Sequence, residues 1–382
     1  MFRKLSSVGY ALEMLLDLCT PVDERERIPI EDACGRVLAS DALSPEDLPS
    51  FNRAAMDGYA VRSHETRGAS QSSPVRITEY ARVRTGAALP EGFDAVLMLE
   101  DSFLRGNVLE VTAELTPYRN VSRIGEDVRA GDVVLGREHM LRPPDIALLG
   151  AVGIDEVEVF TRPRVAVIPT GDELVPRSCV PAPGEAREIN SLMICSYVKL
   201  WGGEPQLSGV IPDDRDAIKE AIKSCLDADL ILISGGTSVG ERDYAPGVLE
   251  ELGELMVHGI RLSPGRPTAL GSISGTPVVC LPGYPVAALA SLYLLVRPAV
   301  KRLAHLSDDV PRRDAKLLRK IPSRPGYITF ARVSLRDGTA DPVMISGAGI
   351  LSSVARADGF VLVPEDLEGL DEGERVEVHI FE

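Results

Sequence analysis

The sequence predicts a multidomain α/β plus β protein. Its parts are a doubly wound, mostly parallel sheet domain, a β-rich domain, a small helical and extended N-terminal domain, and a C-terminal β-barrel-like domain. Three observations predict it. From about residue 164 to 306, short apolar runs alternate with loops and helical patterns, as in parallel strands joined by right-handed crossovers. From residue 51 to about 132, and again from about 312 to the end, short alternating runs are broken by glycine. At 382 residues the chain also exceeds one ordinary core, so roughly two to four domains are expected.

Taken in order, residues 8–19 place Val8, Ala11, Leu12, Leu15, Leu16 and Cys19 at helical spacing, with Ser7 as N-cap and Pro21 as terminator. Residues 31–38 read as a short helix or turn, and Pro45 and Pro49 mark an extended linker. Strands are expected at 59–61, 75–78, 95–99, 108–111 and 133–135. A short helix at 141–150 leads into an alternating strand at 154–160, and Arg162-Pro163 marks a boundary. The α/β pattern supplies strands at 165–168, 206–211, 230–233, 255–260, 268–273 and 278–281. Helices are expected at 189–200, 214–226 (Asp213 as N-cap) and 287–303, with a helical pattern after Pro246. The last part has strands at 328–333, 343–346, 360–363 and 376–380, with turns at Asp337-Gly338 and at 346–349. The expected partition is 1–42 with 136–162, then 43–135, 163–308 and 309–382.

Composition narrows the function. A hydrophobic fraction of 45% and a charged fraction of 26% are ordinary for a soluble globular protein. The net charge of −16 argues against broad nucleic-acid binding and sets any anionic ligand against an unfavourable overall field. The six cysteines form no C-x-x-C pair and sit mostly in apolar runs, as in a reducing compartment. No secretory signal is visible and the longest apolar stretch is too short to span a bilayer, so a cytoplasmic protein without a membrane role is expected.

The chain is organised around residues 229–246, DLILISGGTSVGERDYAP. A buried strand empties into a glycine-rich turn ahead of a helix, which places backbone N–H groups around one point and suits an oxyanion. A plain βα turn with capping hydroxyls would read the same way. The polar loops TGDEL, SGGTSVGERD and PGYP all follow strands, and in parallel sheets ligands bind outside the carboxyl ends. Acidic residues recur in the candidate loops: Asp57, Asp127, Glu173, Asp213 and Asp243. Like charges about 4 Å apart cost roughly 4 kcal/mol at an effective dielectric near 20, so carboxylates beside an oxyanion call for a cation. Magnesium takes carboxylate oxygens and shares substrate phosphates. The five histidines are scattered, which gives zinc no cluster, and Ser234 lacks a nucleophile-elbow context.

Seven segments stand in one order: AAMDGYAV (54–61), RTGAALPEGFDAVLMLED (84–101), GEDVRAGDVVL (125–135), PTGDEL (169–174), SGGTSVGERDY (234–244), SPGRP (263–267) and LPGYPVAAL (281–289). Together they resemble the MoeA type of molybdopterin molybdenumtransferase, which is similar to the gephyrin E domain. The resemblance runs over nearly the whole chain. It implies an elongated four-domain subunit that forms a homodimer, and a reaction in which adenylylated molybdopterin and molybdate give molybdenum cofactor with release of AMP, helped by magnesium.

Carried over, the resemblance places Asp57, Thr85 and Asp127 on the β-rich side of a cleft contributed by the second subunit. Glu173, Asp213, Asp243, Pro282 and Pro285 fall on the α/β side. Thr170, Gly171, Ser234 and Gly283 accompany them, and Gly235, Gly236, Thr237 and Ser238 would hold the pterin phosphate. Glu173 and Asp243 would organise magnesium and the adenylyl phosphates, and Thr85 would donate to an oxyanion. Ser263 stands where the family has a lysine, Arg266 takes the place of a later one, and Tyr284 replaces an asparagine. Arg261, Arg266 and His258 are the local cations for the molybdate dianion. Tungstate is an alternative oxyanion. An adenylyltransferase and molybdoenzymes are implied partners. A non-catalytic scaffold of the gephyrin kind, or a phosphohydrolase built on the same α/β domain, are the competing readings.

Overall fold

Side chains alternate between the two faces of a strand, and here both faces are apolar. In the computed structural model, which describes residues 5–235, 244–344 and 349–382, the central sheet has six strands. They are β1 (Arg164–Pro169), β2 (Glu204–Leu207), β3 (Leu230–Ser234), β4 (Glu254–His258), β5 (Ala269–Ile273) and β6 (Thr276–Leu281). Their order is β2-β1-β3-β6-β5-β4. The first four in that row are parallel, while β5 and β4 add an antiparallel edge.

Val165, Val167, Leu230, Leu232, Val279 and Leu281 bury on one face with α1 (Val8–Leu18) and α2 (Asn190–Leu200). Ala166, Ile168, Ile231, Ile233, Val278 and Cys280 bury on the other with α3 (Arg215–Lys223) and α4 (Tyr244–Leu252). Two apolar faces need two helical layers, which is why the sheet is doubly wound. In register, Pro169 stands opposite Ser234 and Ser234 opposite Leu281. The loops after β1, β3 and β6 therefore leave from the same edge.

The chain divides into two compact units, one of Met1–Glu24 with Phe160–Glu382 and one of Arg25–Val159. In the second, the expected strands are found as Gly58–Val61, Val75–Ile77, Ala95–Met98, Val108–Val111 and Val133–Leu135. Ala81–Val83, Gly58–Val61 and Ala95–Met98 form one small sheet, while Val75–Ile77, Val108–Val111 and Ser102–Arg105 form another. Asp57-Gly58 is not a hairpin turn. Gly58 lies in a strand where a Cβ would come within 1.9 Å of the Leu97 carbonyl oxygen, so only glycine allows the pairing.

Two helix expectations change. Asp214, not Asp213, caps α3: its side chain accepts from Ala217 N–H at 2.9 Å. The expected helix over 287–303 runs from Pro285 to Leu303 but widens to a π-helical stretch at Leu292–Val296. Pro298 has no N–H to donate to the preceding turn, which is where a helix opens.

At the C-terminus, Arg312–Leu317, Ile328–Arg336, Thr339–Met344, Gly359–Val363 and Arg375–Ile380 join Leu262–Ser263 in one sheet. Pairing of Ile328–Arg336 with Gly359–Val363 closes it into a barrel. Ala315, Leu317, Ala331, Val333, Val361 and Val378 fill the interior. The end of the expected 343–346 strand and most of the 346–349 turn lie outside the described residues.

Candidate functional site

The site is built by the ends of β1, β3 and β6. Past β1, Thr170 N–H donates to the Ser234 carbonyl at 2.8 Å and Gly171 N–H to the Ile211 carbonyl at 3.1 Å. Asp172 accepts from Asp213 N–H at 3.0 Å, which ties the TGDEL loop to the turn before α3. Glu173 is exposed, with its carboxylate folded back over Gly171, where a Cβ would meet Glu173 Oε2 at 2.9 Å.

Past β3, Gly235 has φ +110°, and a Cβ there would lie 2.2 Å from the Thr170 carbonyl oxygen. Glycine is required by both conformation and approach. Gly235 N–H donates to the Leu281 carbonyl at 3.2 Å. The expectation that this N–H holds a phosphate is therefore corrected: the sheet has already taken it. Gly236, Thr237, Ser238 and Asp243 lie outside the described residues.

Past β6, Gly283 comes against Gly235, with 3.7 Å from a Cβ on the one to the Cα of the other. Pro285 opens the helix after the exposed Tyr284. Asn190 opens α2, and no local pattern in the sequence marks it. Its Nδ2 donates to Ser234 Oγ at 3.2 Å and to the Gly283 carbonyl at 2.8 Å. Thr170, Ser234, Gly235 and Gly283 are thus brought together at one edge, with Asn190 between two of the strand ends.

A recess of about 260 Å³ adjoins this edge. Ser263, Arg266, Pro282, Tyr284, Arg324 and Tyr327 line it. Arg266 is exposed at this recess. Arg261 instead forms an ion pair with Glu365 at 3.3 Å, and His258 ends β4. Arg324 and Tyr327 were also missed, because they come from the barrel some sixty residues further along the chain and no local pattern marks them.

In the other unit, Asp57 Oδ1 accepts from Thr85 N–H at 2.7 Å and from Thr85 Oγ1 at 2.9 Å. These two bonds, backbone first, hold the exposed Asp57 carboxyl below its usual range, helped by Arg84 and Arg82. Asp127 is exposed on a turn whose N–H donates to the Leu48 carbonyl at 3.0 Å. Among the described residues no group of three His, Cys, Asp or Glu side chains stands ready to hold a metal ion.

The comparisons with known proteins agree over nearly the whole chain. Residues 6–153 match the MoeA N-terminal region (domain I and II), 166–302 the Probable molybdopterin binding domain, and 314–381 the MoeA C-terminal region (domain IV). The chain is 31% identical to a molybdopterin molybdenumtransferase of Haemophilus influenzae, covering 97% of this chain and 96% of that one. It is 30% identical to one of Bacillus subtilis, covering 93% and 89%. Its structure is similar to that of a molybdopterin biosynthesis MoeA protein from Pyrococcus horikoshii, with a TM-score of 0.87, 37% identity, and 99% and 100% of the two chains covered. The chain belongs to the MoeA family.

Proposed function

We propose that this chain is a molybdopterin molybdenumtransferase acting in molybdenum cofactor biosynthesis. It takes adenylylated molybdopterin and molybdate, inserts the metal into the dithiolene and releases AMP. One observation carries the assignment to this site: three parallel strand ends bring Thr170, Ser234-Gly235 and Gly283 to one point at the carboxyl edge of the sheet.

The groups left to meet substrate there are hydroxyls and an amide. The N–H groups of Thr170, Gly171 and Gly235 are spent on carbonyls, while the Ser234 and Thr170 hydroxyls lie at the same edge. Hydroxyl donors held by a rigid sheet orient a phosphate without reorganisation. Arg266 and Arg324 carry positive charge at the adjoining recess and would draw the molybdate dianion against the net charge of −16.

Magnesium belongs to the proposal. The exposed Glu173 offers the hard oxygen donors this cation takes, and Asp243 is the second ligand in the reading. Among the described residues no group of three ligating side chains stands ready for the ion, so substrate phosphate oxygens and water would have to supply the rest of its ligands. When bound, it would supply positive charge beside the adenylyl phosphates. Asp57, Thr85 and Asp127 of the second subunit contribute to this site, in a homodimer located in the cytoplasm. The four-part partition at 1–42 with 136–162, 43–135, 163–308 and 309–382 is part of the same reading, as are an adenylyltransferase supplying the substrate and molybdoenzymes receiving the product.

The test is incubation of purified protein with adenylylated molybdopterin, magnesium, and either molybdate or tungstate. AMP release and reconstitution of an apo-molybdoenzyme in the molybdate arm are expected. An intact adenylylated substrate after exhaustive incubation would contradict the assignment, and equal reconstitution by tungstate would revise the choice of oxyanion.

A further inference from the structure

Asn190 is 8% exposed and Thr170 1% exposed, yet Asn190 Oδ1 and Thr170 Oγ1 have no hydrogen-bond partner among the described residues. Both belong to the cluster around Ser234 and Gly235. A Cβ on Gly235 would be 2.9 Å from Thr170 Oγ1, and Asn190 Nδ2 sits on Ser234 Oγ. Buried polar atoms are rarely left unpaired, and two at one strand edge point to groups that a ligand completes.

The orientation of the Asn190 amide is fixed by its neighbour. The Gly283 carbonyl can only accept, so the nitrogen must face it at 2.8 Å, and the oxygen cannot be exchanged into that position. Oδ1 is then an obligate acceptor. A phosphate or molybdate oxygen has nothing to donate to it. The group it recognises must carry an N–H or O–H.

Resting on the functional reading above, we propose that Asn190 is a specificity-determining residue of the strand-edge site. Its nitrogen braces the tips of β3 and β6, and its oxygen accepts a hydrogen bond from a donor on the organic part of the substrate. Two sources share that chemistry: the N–H groups of the pterin ring, and the ribose hydroxyls and adenine amino group of the adenylyl half.

The test compares equilibrium binding of molybdopterin and of AMP to the wild type, Asn190→Ala and Asn190→Asp. Both ligands carry phosphate, so loosened loops or an added charge shift the two affinities together. The ratio of the two dissociation constants isolates the ligand-specific bond. Asn190→Ala is expected to change that ratio about tenfold, as one lost hydrogen bond does. Weaker molybdopterin binding would identify the pterin as donor, and weaker AMP binding the adenylyl half.

Asn190→Asp keeps an acceptor oxygen but cannot donate to the Gly283 carbonyl, so the ratio should move back toward wild type. A bracing role alone would give no such return. A ratio in Asn190→Ala unchanged within about twofold would overturn the inference while leaving the functional reading intact. A wild type that bound neither ligand would overturn both.

Discussion

The Asp57 carboxylate takes both hydrogen bonds that Thr85 can offer at one oxygen, and the pair is exposed to solvent. An exposed carboxylate contributes little to packing, so the role proposed for Asp57 predicts a loss of activity without a loss of fold. Asp57→Asn should lower the rate of AMP release by tenfold or more, roughly one hydrogen-bonded charge in the transition state, with the melting temperature unchanged. Parallel activity and thermal-shift measurements check this, and a large fall in melting temperature would point to a structural role instead. Asp145 is the contrasting case. It is buried, and the Arg142 guanidinium, with His139 and the Arg142 N–H behind it, holds its carboxyl well below the usual range. A depressed folded-state pKa stabilises the fold above the unfolded value, about pH 4, and that stabilisation is lost as pH falls toward the lower folded value. Asp145→Ala should cost about 1–2 kcal/mol at neutral pH, and its gap from wild type in denaturant melts should shrink only below about pH 4. The acidic loop residues were visible in the sequence because carboxylates beside glycine turns are conspicuous. Asn190 was not, since an asparagine in the first turn of a helix looks like an ordinary cap until Ser234 and Gly283 are seen against it.

Among the elements, the joint between the α/β part and the barrel holds a fully buried guanidinium. Arg297, fully buried in the helical run after Pro285, donates to Glu382 at 3.0 and 3.1 Å and to the Asp309 carbonyl at 3.1 Å, and pairs with Asp308. Trp201 Nε1 donates to the same Glu382 carboxylate at 2.7 Å. Tyr293 packs edge-on against Trp201, Phe360 and Phe381, which joins helix to barrel through rings. Arg297→Ala leaves Asp308 and Glu382 without their cation and should destabilise by about 3–5 kcal/mol in chemical denaturation. A loss below about 1 kcal/mol would show that the network is solvated rather than buried. Apolar runs such as Leu230–Ser234 were legible from composition alone, because only a doubly covered strand tolerates five apolar or small residues in succession. Two-residue strands such as Arg53–Ala54 and Val121–Ser122 were not, since pairing across the fold creates them and no local period exists. Asp213 and Asp214 are equally good caps in sequence. Asp172 settles the choice by engaging the Asp213 backbone.

Over the whole molecule, the alternation of strands and helices from 164 to 306 was enough to place three polar loops at one edge, because parallel strands must release their loops on the same side. What that logic could not supply was Arg324, which the barrel delivers to the recess beside Arg266. Local features, not net charge, decide whether an anion binds to a chain carrying −16. The central claim is that the edge formed by Thr170, Ser234-Gly235 and Gly283 receives the pterin substrate. A crystal structure of the protein soaked with molybdopterin tests it most directly. The account predicts ligand density within hydrogen-bond distance of the Thr170 and Ser234 hydroxyls, and density seated on the outer wall of the barrel or confined to the Arg25–Val159 unit would contradict it.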